Sequence, residues 1–105
     1  MQWFRAYALP DDIVFYYEFS PEGWVTRKIE LTGPEREVRA AASRSEWVQA
    51  LREGRRHEYY REFGSTPDVP RHQWEEDDLE EVTESEFETL WDNARRTIIA
   101  RRGHS

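Results

Sequence analysis

The 105-residue sequence predicts an α+β fold: an N-terminal antiparallel β-meander of three to four strands, a short middle helix, and a C-terminal amphipathic helix packed on the sheet. Three observations carry that expectation. Aromatic and β-branched residues alternate between turn signals as far as Ala41, the period turns helical at Ser43, and a doubly marked helix start stands at Thr83. Residues 1–105 are expected to form one domain, since no repeat or linker divides them and a chain of this length supports one core.

Gln2 to Ala8 alternates loosely, Leu9-Pro10-Asp11-Asp12 supplies turn chemistry, and Ile13 to Phe19 is dense in β-branched and aromatic residues. Ser20-Pro21-Glu22-Gly23 places proline where φ near -65° is wanted and glycine where φ must be positive, as a type I turn closed by a glycine bulge requires. Trp24 to Leu31 is then the second arm of a hairpin, Thr32-Gly33-Pro34 turns again, and Glu35 to Ala41 supplies a fourth strand. Alternation puts Ile13, Phe15, Tyr17 and Phe19 on one face with Val25, Ile29 and Leu31, and with Phe4, Ala6 and Ala8; that face is the expected core.

Ser43-x-x-Glu46 matches a capping box, with Trp47, Val48 and Leu51 on one helical stripe and Gly54 as the stop. From Arg55 to Trp74 no period is clean, and irregular structure anchored by Tyr59, Tyr60 and Phe63 is expected. Thr83-x-x-Glu86 is a second capping box, and Val82 and Phe87 have the spacing of a hydrophobic staple. Phe87, Leu90, Trp91, Ala94 and Ile98 then recur on one face, with acids toward the helix start and Arg95, Arg96, Arg101 and Arg102 toward its end, as the helix dipole favours.

Composition narrows the chemistry. Charged residues make up 35%, but five Trp, five Tyr and five Phe are far more than a disordered chain carries. The absence of cysteine excludes disulfides, thiolate metal sites and cysteine nucleophiles. No export leader or membrane span is expected, which suits a cytoplasmic protein. Nine acids, Glu75, Glu76, Asp77, Asp78, Glu80, Glu81, Glu84, Glu86 and Glu88, occur without one base between them, and removing these nine turns the net charge of -7 into +2. Such a run is either a solvated loop or a docking surface for a basic partner.

A second surface is expected on the sheet. Counted outward from the glycine-bulge turn, Tyr16 stands opposite Lys28, with Val14, Glu18, Trp24, Thr26 and Glu30 on the same side and Trp3, Arg5 and Tyr7 on the neighbouring strand. Aromatics mixed with charges suit the centre of a protein interface, or they simply stack across strands. Arg52, Arg55, Arg56, His57 and Arg61 surround two tyrosines, but Glu53, Glu58 and Glu62 interrupt them, so a surface salt-bridge lattice is expected there and not a nucleic-acid site. His57, His72 and His104 lack metal spacing, no phosphate loop or nucleophile elbow is present, and no cofactor, metal or catalytic residue is assigned.

Tyr16-x-Glu18, Gly23, Arg27-Lys28-x-Glu30 and Glu86-Phe87-Glu88-x-x-Trp91 together resemble an uncharacterised family of small bacterial proteins, a domain of unknown function, over residues 3 to 94. The resemblance implies a fold of sheet plus helix and brings no catalytic residues with it. The functional expectation is a non-enzymatic protein-binding module, similar to an immunity protein, that neutralises or escorts one basic protein partner such as a toxin. Glu75, Glu76, Asp77 and Asp78 would steer the partner, and Trp74 or Trp24, with Tyr16 and Lys28, would contact it. The alternative is an accessory protein of a biosynthetic or regulatory operon that binds a peptide by strand addition, and a small enzyme with a pocket around His57 ranks last.

Overall fold

A computed structural model describes residues 1–8, 10–68, 70–74 and 78–102. In chain order its elements are β1 (Gln2–Ala8), β2 (Ile13–Phe19), β3 (Val25–Thr32), β4 (Glu37–Ser43), α1 (Arg44–Arg52), α2 (Arg56–Phe63), a 3-10 turn (Arg71–Gln73), β5 (Glu80–Glu81) and α3 (Glu84–Arg102). The strands form one antiparallel sheet in the order β4-β3-β2-β1-β5. The α+β meander with a terminal helix is therefore present, lengthened by a two-residue fifth strand. No helix among the described residues is long and apolar enough to cross a membrane.

The first hairpin turn forms as its residues dictate: the Gly23 amide donates to the Ser20 carbonyl at 2.9 Å, Gly23 sits at φ 88°, and the Ser20 amide donates to the Trp24 carbonyl at 2.9 Å. Regular pairing beyond that point would set Tyr16 against Lys28. Instead Phe19 pairs with Val25 while Glu18 pairs with Arg27, so Thr26 is an extra residue and the register slips by one. Tyr17 consequently meets Lys28 and Tyr16 meets Ile29, which puts Tyr16 and Lys28 on opposite faces and corrects the expected shared surface. The bulge turns two successive residues toward one carboxylate. Thr26 Oγ1 donates to Glu18 Oε1 at 2.6 Å, and Arg27 donates to both Glu18 oxygens through Nε at 2.9 Å and Nη2 at 2.6 Å.

The slip divides the expected single core face into two. Val14, Tyr16, Ile29, Leu31, Val38 and Ala41 pack beneath α3 through Phe87, Ala94 and Ile98, with Leu90 and Trp91 at the margin. Full burial of Phe87 alone is worth about 2 to 3 kcal/mol. On the other face Phe4, Ala6, Tyr17, Phe19 and Val25 form a second cluster with Phe15, Trp74 and Leu79. The chain after α2 crosses this face as a strap. The Arg71 amide donates to the Gly23 carbonyl at 2.8 Å, the Arg71 guanidinium lies 4.3 Å above the Phe4 ring, and Trp74 meets Tyr17 and Phe19 edge-on at 5.1 and 5.5 Å.

The two middle helices pack beside β4, through Ala42, Trp47, Ala50 and Tyr59. Ser43 caps α1 by accepting from the Glu46 amide at 3.3 Å, and Gly54 at φ 72° follows its end. Its buried residues are Trp47 and Ala50, whereas Leu51, expected on the apolar stripe, is exposed. Residues 56–63 form α2 where irregular structure was expected. This helix has no side-chain cap and only Tyr59 fully buried, so its period is faint in the sequence. Tyr60, expected to anchor the segment, points outward. For α3 the expectation holds: Thr83 Oγ1 accepts from the Glu86 amide at 3.0 Å, and Val82 and Phe87 are both buried in one cluster.

Candidate functional site

Two partly buried ion networks consume charges that otherwise look free. Glu18, almost fully buried, accepts from Trp3 Nε1 at 3.0 Å as well as from Thr26 and Arg27, and Arg27 bridges onward to Glu88. Burial pushes the Glu18 carboxyl up, but the hydrogen bonds from Arg27, Thr26 and Trp3 outweigh it and hold it at about 2. The Arg27 guanidinium is stacked over Phe87 at 5.0 Å and Trp91 at 5.1 Å, which ties β3 to α3.

The second network closes the β4 edge. Arg95 donates to the Ala41 carbonyl at 2.8 Å, pairs with Glu46 and covers Phe63 and Trp91 at 4.1 and 4.5 Å. Tyr59 Oη donates to Glu46 at 2.8 Å and accepts from the Ser43 amide at 3.0 Å. Burial pushes Tyr59 up to about 12. Burial also pushes Glu46 up, but Arg95 and Tyr59 hold its carboxyl below the ordinary range. Every charge of both networks is satisfied by its neighbours, so their work is structural.

The acidic run divides. Glu75, Glu76 and Asp77 lie outside the described residues. Of the rest, Glu80 and Glu86 flank Arg5, at 2.5 and 3.9 Å, and Glu88 joins Arg27. Asp78, Glu81 and Glu84 are exposed and make no ion pair among the described residues. None of the described acids of the run pairs with a base of α1 or α2. Tyr7, 46% exposed, stands on β1 two residues past the Arg5 to Glu80 pairing.

The opposite charge collects on α1 and α2. Arg44, Arg52, Arg56 and Arg61 make no ion pair among the described residues, and the expected salt-bridge lattice reduces to Glu53 with Arg55 and Glu62 with Arg102. An open groove of 670 Å³ runs along α1 past Thr26, Arg44, Val48 and Arg52. A smaller hollow of 330 Å³ lies where the end of α2 passes over β3 and β4, lined by Lys28, Glu30, Arg39, Tyr60, Arg61 and Ser65. Sequence alternation already put Lys28 and Glu30 on one face; Arg39 and Arg61 join them only through the fold.

The residues expected to contact a partner are dispersed. Tyr16 is buried beneath α3 and cannot serve a surface. Lys28 is paired with Glu30 in the small hollow at 2.7 Å, and Trp24 lies half-buried with the Arg44 guanidinium 4.3 Å over its ring. Trp74 is half-buried in the second cluster, and Asp78 is exposed. His57 and His72 are exposed, and His104 lies outside the described residues. Among the described residues no group of three or more His, Asp or Glu side chains is placed to hold a metal. No protein-family model, no curated protein and no solved structure matches this chain.

Proposed function

We propose that the protein is a non-enzymatic binding module that holds one basic protein partner, in the manner of an immunity protein, at the edge formed by β5 and the first turn of α3. The supporting observation is separation of charge. Asp78, Glu81 and Glu84 are exposed at that edge while Arg52, Arg56 and Arg61 stand on α1 and α2, so neither set cancels the other. A one-signed edge of this kind raises the local concentration of a cationic partner and speeds encounter in a salt-dependent way. Tyr7, 46% exposed although the Arg5 guanidinium lies 5.7 Å from its ring centre, is the aromatic beside this edge that would anchor such a partner, whereas Trp24 and Trp74 are half-buried against their own chain.

Strand addition at β4 is disfavoured because that edge is already occupied. Its outer carbonyls at Val38 and Ala41 accept from Arg101 and Arg95, each at 2.8 Å, and the Ser43 amide donates to Tyr59. The test begins with the partner recovered from a lysate of the source cells, whose association rate is then followed against ionic strength. Asp78→Asn, Glu81→Gln and Glu84→Gln combined are expected to slow association at least about tenfold at low salt and to flatten its salt dependence. Equal rates for the variant and the wild type refute the proposal.

A further inference from the structure

We propose that the hollow between β3, β4 and the end of α2 binds a small phosphomonoester through the dianionic phosphate group. Lys28 and Glu30 are two apart on β3 and so share a face. Their partners across the ladder are Ala42 and Ala40, whose methyl groups leave the floor low beside those two long side chains. Gly64 completes the roof. A Cβ there would stand 2.8 Å from that of Ala40, so only glycine, at φ 94°, lets the chain after α2 descend this close to the sheet.

The charge inside the hollow does not balance. Lys28, Arg39 and Arg61 face a single carboxylate, Glu30, which leaves an excess of two positive charges in a chain whose net charge is -7. Glu30 holds Lys28 at 2.7 Å and Arg39 at 3.6 Å, and Arg61 makes no ion pair among the described residues. Lys28 and Glu30 are each only 12% exposed, a depth at which desolvation offsets most of the Coulomb attraction of a pair. Packing does not require charge at this position, since the same face one strand away is filled by Phe15 and Tyr17. What the arrangement does supply is a preformed cationic pocket, with one acid orienting two of its cations.

A phosphate dianion fits that excess. Arginine presents a planar fork that matches phosphate oxygens, lysine adds a compact point charge, and the hydroxyls of Tyr60 and Ser65 are further hydrogen-bonding groups on the lining. The Tyr60 ring, 61% exposed at the mouth, offers a surface for the esterified group. A volume of 330 Å³ is at the small end of ligand pockets and suits a single phosphorylated molecule better than a polymer. The hollow shares no residue with the acidic edge, so either proposal can fail without the other.

Calorimetric and NMR titration with phenyl phosphate tests the inference, with benzenesulfonate as the same ring carrying one charge. Saturable one-to-one binding of phenyl phosphate is expected, with benzenesulfonate at least about tenfold weaker. Arg39 and Arg61 are exposed, so Arg39→Ala and Arg61→Ala leave the fold intact; each is expected to weaken phenyl phosphate about tenfold, the loss of one charge-assisted hydrogen bond. Arg96→Ala, exposed on α3, is expected to change nothing. The inference is overturned if phenyl phosphate binds no tighter than benzenesulfonate, if Arg61→Ala binds like wild type, or if Arg96→Ala loses as much as Arg61→Ala.

Discussion

Replacing Glu18 by glutamine tests whether one carboxylate holds the sheet, the bulge and α3 together. The side chain accepts from Trp3, Thr26 and Arg27, and its pKa falls from the ordinary 4.5 to about 2. At about 1.4 kcal/mol for each factor of ten in proton affinity, the ionised form contributes about 3 kcal/mol at neutral pH. Glutamine keeps one acceptor for Trp3 or Thr26 but turns an amide toward Arg27, which then retains Glu88 as its carboxylate partner. A loss of about 3 kcal/mol is therefore expected, equivalent to a fall in Tm of roughly 12 to 24 °C for a domain of this size. The pH dependence has a definite sign. Because the folded value lies below the unfolded one, the contribution is complete above about 4.5 and is lost as pH falls toward about 2. Urea unfolding followed by tryptophan fluorescence should show the gap between wild type and Glu18→Gln shrinking to about half between about pH 7 and about pH 3. A gap that stays constant over that range, or one below about 1 kcal/mol at neutral pH, refutes the reasoning.

Tyr59 is pushed up to about 12 by burial, so the unfolded chain ionises first and the stability present below about 10 is lost as pH rises toward 12. Tyr59→Phe should remove that alkaline component from the stability profile, read by thermal melts across the same range, at the expense of the acceptor for the Ser43 amide. Arg95→Lys gives up the stacking on Phe63 and Trp91 along with the fork that reaches Ala41 and Glu46. About 1 to 3 kcal/mol should be lost in chemical denaturation, and light scattering should rise as the β4 edge is uncovered. Gly64→Ala combines a contact of 2.8 Å with φ 94° and is expected to destabilise by at least about 1 kcal/mol in the same assay.

Much of this architecture is legible in local chemistry. Ser20 to Gly23 and the caps at Ser43 and Thr83 each contain the turn or cap they need within four residues, so they read correctly without tertiary information. The return bond expected of the first capping box is replaced: the Ser43 amide donates to Tyr59, and Glu46 is taken by Tyr59 and Arg95. Helix α2 does not read locally, because its one fully buried residue, Tyr59, is held by Ser43 and Glu46 from another element. The pairing of Glu80 and Glu86 with Arg5 is equally non-local, and it changes which acids remain exposed at the proposed edge. A run of like charges in sequence shows its sum, but not which members are neutralised by residues far along the chain.

The hollow at Lys28 was hidden by a single residue. If Thr26 occupied a regular position in the ladder, Tyr17 would face Arg27 and Tyr16 would face Lys28, and the lysine and Glu30 would lie under α3 against Ala94 and Ile98. That arrangement buries two charges in the apolar layer and turns Ile29 and Leu31 toward the strap, which is costly on both faces. The bulge resolves the conflict by letting Val25 serve the aromatic cluster while Ile29 and Leu31 serve the helix. No residue around Thr26 announces this locally. The demand arises from Glu18, which needs both Thr26 and Arg27 to be tolerable where it is buried, and the same slip carries Lys28 to the face where Arg39 and Arg61 can gather around it.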